Sequence, residues 1–226
     1  VNGSLDIAKA NATVTANGGT LTYNGANQTT SGFTASGLVG AETASVLTGV
    51  SASRTEKNAG TYTTTASGTD GNYNLTFVDG AMVINKAALT VRANNDARFV
   101  TQSDATGFAG VSYSGWVGGE SPTVLGGTAV VTRSASGPDG NTGASNASEG
   151  RYTGVLTATG LTSNNYTISY APGNYTVVPA DQLLVKVTPA ASSYGTAASY
   201  SVAEAKYLNR SNIITDLTGK IGRAHV

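Results

Sequence analysis

Residues Ser36–Glu42 read Ser-Gly-Leu-Val-Gly-Ala-Glu, and residues Ser114–Glu120 read Ser-Gly-Trp-Val-Gly-Gly-Glu. A Val-Leu pair follows each stretch, at Val46–Leu47 and at Val124–Leu125. Self-similarity at a period of tens of residues is the signature of tandem supersecondary units. The chain is therefore predicted to be an array, and its function is to be sought in the array as well as in any single site.

The spacing between matching residues grows along the chain. Lys9 matches Lys86, 77 residues later, whereas Tyr73 matches Tyr166, 93 residues later. Most of the growth falls in residues 134–149, which contain no large apolar side chain. Such a segment cannot bury enough apolar surface to offset its ordering entropy. We expect an inserted, solvated loop in the second repeat.

The repeat divides the 226 residues into successive segments. We predict that residues 1–6 end a preceding unit or form a linker, and that 7–85 and 86–178 are two repeat modules. Residues 181–220 are predicted to start a third, truncated module. Residues 221–226 resemble a translated sequencing adapter and are expected to be an artefact, which would include the only histidine, His225.

The composition favours strands joined by turns and argues against several classes of protein. Only 12% of the residues are charged, with 13 basic and 13 acidic side chains, so the basic footprint of a nucleic-acid-binding protein is lacking. There are 29 glycines and no cysteines. The cysteine count excludes disulfides and thiolate chemistry. No apolar run approaches the roughly 20 residues of a spanning helix, so no membrane insertion of this segment is expected.

Alternating apolar and polar residues predict half-buried strands at 12–16, 88–93 and 183–187. Two hairpins are predicted to close the modules: residues 73–78 with 81–84 around Asp79-Gly80, and 166–170 with 175–178. The fold class is therefore all-β, with tandem small β-sandwich or β-grasp-like domains. Short connections between the modules predict an elongated rod.

Residues 40–47 and 118–125 leave room for one short helical turn in each module. Pro122 suits a first turn, where its missing N–H is harmless. Glu42 and Glu120 are equivalent residues, and each is expected to cap such a segment or to end a turn.

Candidate ligand contacts are Asp139, Asn141 and Asn146 in the inserted loop, and Tyr113, which with Trp116 could form a sugar-stacking platform. Leu38 takes the place of Trp116 in the first module, which favours a core role for the tryptophan. The acidic and amide side chains at 70–72 and 138–141 are better explained as turns than as calcium ligands. We expect no metal and no cofactor.

The side chains needed for common forms of catalysis are missing or scattered. There is no cysteine, no histidine outside residues 221–226, and no glycine-rich phosphate loop. The sequence therefore predicts that this protein is not an enzyme.

Three motifs resemble those of a known family: the start of the first unit at 7–17, the Ser36–Glu42 motif, and residues 71–86. They are similar to the tandem repeats of filamentous-haemagglutinin-like adhesins, Gram-negative surface exoproteins with YDG and MBG modules. Residues 7–85 resemble the YDG type, although its Tyr-Asp-Gly reads Tyr23-Asn24-Gly25 here. Residues 86–178 fit more loosely, with Arg98-Phe99-Val100 where that motif would fall.

The resemblance implies secretion, often by a two-partner route, and display at the outer membrane as a stalk that supports attachment or biofilm formation. Its partners would be neighbouring modules in cis, with a glycan or a host surface bound by other parts of the full protein. Two alternatives stay open. The second module could bind a carbohydrate or a protein through the 134–149 loop, or the chain could be a cleaved or autocatalytic surface domain.

Overall fold

A computed structural model describes residues 3, 5–134, 149–188, 195–197 and 199–220. These residues form strands and two single turns of 3-10 helix, at Ala44–Val46 and Pro122–Val124, within the two segments predicted to hold a helical turn. The chain forms two compact units. The first comprises Val1–Ala88, Trp116–Val124 and Ser163–Thr167, and the second comprises Leu89–Gly115, Leu125–Thr162 and Ile168–Val226.

The strands before residue 86 are β1 (Ala10–Ala16), β2 (Gly19–Thr22), β3 (Gln28–Ser31), β4 (Phe33–Ser36), β5 (Val50–Glu56), β6 (Gly60–Thr64), β7 (Ala66–Gly68), β8 (Tyr73–Val78) and β9 (Gly80–Asn85). They make three small sheets in the first unit, with strand orders β4-β1-β8, β2-β9-β6 and β3-β5-β7. This arrangement agrees with the predicted sandwich-like all-β class.

The strands after residue 86 are β10 (Ala87–Ala93), β11 (Asp96–Phe99), β12 (Val111–Ser114), β13 (Gly126–Arg133), β14 (Gly150–Thr162), β15 (Tyr166–Ala171), β16 (Gly173–Val178), β17 (Gln182–Val187), β18 (Val202–Leu208) and β19 (Ile214–Asp216). Their sheets have the orders β12-β10-β15, β11-β16-β14-β13 and β17-β18-β19. All three predicted strands are present, as parts of β1, β10 and β17, and the predicted inward face is confirmed in β1 and β10. In β17 the predicted face is wrong, because Leu184 is buried whereas Val185 and Val187 are exposed.

The two predicted hairpins are wrong. β8 pairs in parallel with β1, and β9 pairs in parallel with β2, so the chain changes sheets at residues 79–80. β15 and β16 likewise belong to different sheets. Gly80 is needed for close packing, because a Cβ there would lie 2.3 Å from the Ala16 carbonyl oxygen. The Asp-Gly pair marks a strand that switches sheets, as at the corners of orthogonally packed sheets.

Each unit has an apolar core built by strand alternation. In the first unit Ala12, Val14 and Ala16 on one face of β1 pack with Leu47 and Tyr73. Leu38 packs against the same cluster. In the second unit Phe99, Val178, Leu184 and Leu208 form a buried cluster. The repeated motif of the first repeat is thus attached to the core of the first unit through Leu38.

Candidate functional site

The repeated motif brings a glutamate to a buried tyrosine at the start of a strand. In the first repeat Tyr73 opens β8, and its hydroxyl accepts a hydrogen bond from the Val39 N–H at 2.9 Å and donates one to Glu42. In the second repeat the Tyr166 hydroxyl accepts from the Val117 N–H at 3.2 Å and donates to Glu120 Oε2 at 2.6 Å. Both tyrosine rings are buried. The motif therefore fastens its own loop to the core.

Glycines shape this loop. Gly40 and Gly118, the second glycine of each motif, have φ of +63° and +60°, a region that other residues rarely adopt. The left-handed turn lies between the valine whose N–H contacts the tyrosine and the glutamate that accepts from it. Local backbone geometry thus explains the Val-Gly-x-Glu spacing.

Of the two roles predicted for the glutamates, ending a turn is confirmed: the Glu42 N–H donates to the Val39 carbonyl at 3.3 Å, and the Glu120 N–H donates to the Val117 carbonyl at 3.1 Å. The other role, capping, is wrong for Glu42. The residue that precedes the first 3-10 turn is Thr43, and it makes no side-chain capping hydrogen bond. Glu42 and Glu120 instead accept from tyrosine hydroxyls. A single turn leaves few backbone donors to satisfy, whereas a buried phenol hydroxyl requires an acceptor.

A second tyrosine reaches Glu120 within the first unit. Tyr23 follows β2, where its N–H donates to the Asn85 carbonyl at 2.8 Å, and its hydroxyl donates to Glu120 Oε1 at 2.5 Å. Its ring packs edge-to-face on Tyr166 with centroids 5.6 Å apart. The two carboxylate oxygens of Glu120 are therefore shared between tyrosines from two repeats.

The turn after Tyr23 packs closely on the motif of the second repeat. Asn24 Oδ1 accepts from the Ala26 N–H at 3.0 Å, which closes an Asx turn. A Cβ on Gly25 would lie 3.1 Å from the Gly118 Cα. Two backbones can approach this closely only without side chains. The Tyr-Asn-Gly stretch and the Val-Gly-x-Glu stretch are thus complementary surfaces.

Asparagines add a further contact inside the first unit. Asn165 Oδ1 accepts from the Ala59 N–H at 2.9 Å, and Asn165 Nδ2 donates to Asn58 Oδ1 at 3.0 Å. The Lys86 ammonium donates to the Ser163 carbonyl at 2.9 Å. The segment before Tyr166 is therefore held by several hydrogen bonds in addition to the tyrosine–glutamate pair.

The electrostatics of this contact favour a neutral phenol beside a charged carboxylate. Burial, the hydrogen bond to Glu120 and its charge raise the pKa of Tyr23 to about 12. Burial alone would raise the pKa of Glu120, but hydrogen bonds from Tyr166 and Tyr23 and the charge of Lys57 together lower it. At neutral pH the contact is consequently a charge-assisted hydrogen bond.

Replacing Glu120 with glutamine is expected to lower the pKa of Tyr23 from about 12 towards its ordinary value of 10.0. The shift should be partial, because burial of the ring remains. Since the folded-state pKa is raised, the stabilisation is fully present below pH 10 and is lost as the pH rises towards 12. An NMR titration of chain labelled with 13C at the tyrosine Cζ atoms measures it.

Glu42→Gln is the matched control for this titration, because Glu42 accepts from Tyr73. It should leave the titration of Tyr23 unchanged. A Tyr23 pKa that stays near 12 in the Glu120→Gln chain would contradict the contact.

The second unit contains a different polar cluster, centred on Asp104. Asp104 accepts from Arg98 Nε at 2.9 Å, from Arg133 Nε at 2.8 Å and from the Tyr175 hydroxyl at 2.9 Å. The Arg133 guanidinium also lies over the Tyr175 ring, 4.7 Å from its centroid. All these groups are engaged with one another, so the cluster is structural in character.

The turn motif differs between the repeats in a way that changes its surroundings. The predicted position of this motif in the second repeat is wrong by two residues. Val100, and not Arg98, takes the place of Tyr23, because its N–H donates to the Val178 carbonyl at 2.9 Å as the Tyr23 N–H does to the Asn85 carbonyl. Val100 packs against the cluster of Phe99, Leu184 and Leu208. The second repeat therefore presents an apolar side chain at the position where the first presents a phenol.

The structure locates one of the four residues predicted to contact a ligand. Tyr113 lies in β12, half-buried, opposite Val91 of β10. Asp139, Asn141 and Asn146 lie outside the described residues, as does most of the 134–149 loop. Trp116, for which the sequence favours a core role, is half-buried and packs edge-to-face on Tyr166, with the ring centroids 5.4 Å apart.

Sequence reasoning missed the role of Tyr23 and the Asp104 cluster. A sequence signal for the contact between Tyr23 and Glu120 was present, because the Tyr-Asn-Gly stretch and the Ser-Gly-x-Val-Gly-x-Glu motif both occur in this chain. Asp70, by contrast, has the predicted turn role: its Oδ1 accepts from the Asn72 and Tyr73 N–H groups at 2.7 and 3.1 Å. In the part of the chain that the structure describes, no helix has the length and apolar character needed to cross a membrane.

A family described as MBG domain (YGX type) matches the chain twice, at residues 12–83 and 89–176. The two matches follow the two repeats, and together they cover more than half of the chain. No curated protein and no solved structure matches it.

Proposed function

Because the chain belongs to the MBG domain family of the YGX type, we propose that it supplies stalk modules of a large bacterial adhesin. MBG domains are non-enzymatic repeat modules typical of surface or secreted adhesin-like proteins. In this proposal the modules space a distal binding region from the cell and support attachment or biofilm formation. Secretion by a two-partner route and association with the outer membrane are part of the same proposal. The YDG type expected for residues 7–85 is not, because the MBG family matches residues 12–83.

The observation that carries the proposal is the use of the repeated motif. Within the first unit its residues Val117 and Glu120 bind Tyr166, and Glu120 also binds Tyr23. A motif that serves a ligand would direct its polar groups to solvent, whereas these groups are directed to other repeat residues. Such self-directed contacts suit a module whose partners are its neighbours in an array.

Small-angle scattering tests the stalk role. A compact 226-residue globule would have a radius of gyration of about 17 Å. Modules at positions 7–85, 86–178 and 181–220 that follow one another as a spacer should give a clearly larger value and an elongated distance distribution. A radius near 17 Å would reject the proposal.

A second candidate function is recognition of a carbohydrate or a protein by the 134–149 loop. It is favoured by the frame around the loop: β13 and β14 pair antiparallel from Gly126–Thr162 to Arg133–Leu156, and the Ser134 N–H donates to the Val155 carbonyl at 2.9 Å. Loops carried on rigid strands are common recognition sites. Asp139, Asn141, Asn146 and Tyr113 would be the contact residues.

Binding of the full chain to a glycan array and to immobilised matrix proteins separates the two functions. The stalk role predicts no binding by the chain itself. The recognition role predicts binding that is lost when residues 135–148 are deleted. Binding that survives the deletion would dismiss the loop as the contact surface.

A further inference from the structure

The first repeat contains a groove of about 340 Å³ at its tyrosine–glutamate motif. Ile7, Lys9, Val39, Glu42 and Tyr73 are among its lining residues. The Lys9 ammonium donates to the Asp70 carbonyl at 2.7 Å at the edge of this groove. The groove is therefore made by the motif and by the segment that leads into β1.

The same residues form the surface that receives Tyr23 in the second repeat. Val39, Glu42 and Tyr73 correspond to Val117, Glu120 and Tyr166, with the same hydrogen bonds. The Lys9 contact with the Asp70 carbonyl corresponds to the Lys86 contact with the Ser163 carbonyl. In the second repeat this surface holds the Tyr23 hydroxyl and the Gly25 backbone.

The equivalent surface in the first repeat is open. Val39 is 60% exposed, whereas Val117 is half-buried. Among the described residues, Tyr73 is the one side chain that donates to Glu42, whereas Glu120 accepts from two tyrosines. A Cβ on Gly40 would have no atom within 4 Å, although the one on Gly118 would meet Gly25. The first repeat thus has a formed receptor surface with no turn seated on it.

Residues 3–8 match the sequence of β9, which is a second observation about the segment before the first repeat. Gly3, Leu5 and Ile7 stand 77 residues before Gly80, Met82 and Ile84, which is also the spacing between Lys9 and Lys86. Met82 and Ile84 are 0% and 2% exposed inside β9, whereas Leu5 and Ile7 are 86% and 80% exposed. These apolar side chains have the pattern of an inward-facing last strand without the sheets that would bury it.

We propose that the groove binds the Tyr-Asn-Gly turn of a preceding repeat in the same polypeptide, and that residues 3–8 form the last strand of that repeat. The tyrosine hydroxyl of the preceding repeat donates to Glu42, and its glycine packs on Gly40. Leu5 and Ile7 become part of the core of the preceding repeat. The inference rests on the proposed array, and it names the partner of this surface and the groups that recognise it.

The test adds a copy of residues 10–77 directly before Val1 of the full chain. Native residues 3–8 then stand in the place of β9 of the added repeat, and Leu5 and Ile7 take the places of Met82 and Ile84. The chain contains no cysteine, so Val39→Cys introduces a single thiol whose alkylation rate reports the exposure of the groove. We expect the rate to fall about tenfold or more in the extended chain, because alkylation then requires the docked repeat to open.

Tyr23→Ala in the added copy should restore most of the alkylation rate of the Val39→Cys thiol. The matched control is Tyr23→Ala in the native copy, which acts on the Glu120 contact and should leave that protection in place. Val117→Cys in the unextended chain gives the reference rate for an occupied surface.

An alkylation rate that does not change on extension would overturn the proposal, whether the added repeat stays unfolded or folds without docking. The reason is that the equivalent surface of the second repeat binds the Tyr23 turn in the native chain, so the groove of the first repeat should bind the same turn when it is supplied. This outcome differs from a failure of the stalk role, which the scattering of the unextended chain decides by itself.

Discussion

Replacing Asp104 with asparagine is expected to lower the local free energy of unfolding of the second unit by about 2 to 4 kcal/mol. Asp104 accepts from Arg98 Nε at 2.9 Å and lies 2.7 Å from Arg133 Nη2. Both guanidinium groups are nearly buried, and both would lose their carboxylate. The loss is large because removing one partner of a buried ion pair is strongly destabilising.

Hydrogen exchange of the β11 and β16 amides measures this change. Exchange reports each unit separately, which a single unfolding curve of a chain with two units would not. Asp181→Asn is the matched control, because Asp181 pairs with an Arg210 side chain that is 88% exposed. An exposed pair contributes about 0 to 1 kcal/mol, so this variant should change little. Equal changes in amide exchange in the two variants would contradict the stabilising role of Asp104 beside its two nearly buried arginines.

The pH dependence of the stability of the second unit should also distinguish the Asp104→Asn chain from the Asp181→Asn chain. Burial alone would raise the pKa of Asp104, but hydrogen bonds from Arg98, Arg133 and Tyr175 outweigh it and hold the pKa below its ordinary value of 3.8. A lowered folded-state pKa gives stability that is present above pH 3.8 and is lost as the pH falls through the folded value. The Asp104→Asn chain should lack this part of the acid dependence of β11 and β16 exchange.

Gly80→Ala is expected to destabilise the first unit by about 2 to 3 kcal/mol, because the added methyl group has no room. Its carbon would lie 2.3 Å from the Ala16 carbonyl oxygen and 2.7 Å from that of Asn17. Both contacts are backbone atoms at the end of β1, so no side chain can rotate away. Relief requires movement of β1 or β9, which belong to different sheets.

Exchange of the β1 and β9 amides measures the effect. Gly71→Ala is the control in the same unit, because a Cβ there would have no atom within 4 Å and the residue has no positive φ. That substitution should be neutral or stabilise by up to about 1 kcal/mol through the unfolded chain. A similar loss in both variants would mean that glycine is needed at residue 80 for a reason other than close packing.

The strands were predictable because a strand with one buried face alternates apolar and polar residues along the sequence. Residues 12–16 alternate apolar and polar side chains, and β1 buries Ala12, Val14 and Ala16. The short turns at residues 44–46 and 122–124 also follow from local residues, since Pro122 suits a first turn. The two repeats were visible in the sequence because the motif returns with its spacing intact.

The pairing of those strands was not predictable. Asp79-Gly80 has the same local composition whether the chain folds back as a hairpin or passes to another sheet. The structure pairs β8 with β1 and β9 with β2, strands about 60 residues earlier. A turn signal reports backbone preference, whereas the choice of partner depends on contacts between distant segments.

The candidate site shows the same division. The sequence by itself determined that Glu42 and Glu120, and Tyr73 and Tyr166, are equivalent residues. Only the tertiary structure decided that Tyr23 meets a glutamate 97 residues later and that the equivalent place beside Glu42 is open. The physical reason is that composition and periodicity record whether a side chain is buried, whereas a hydrogen bond between distant residues forms only when the packed cores bring them together.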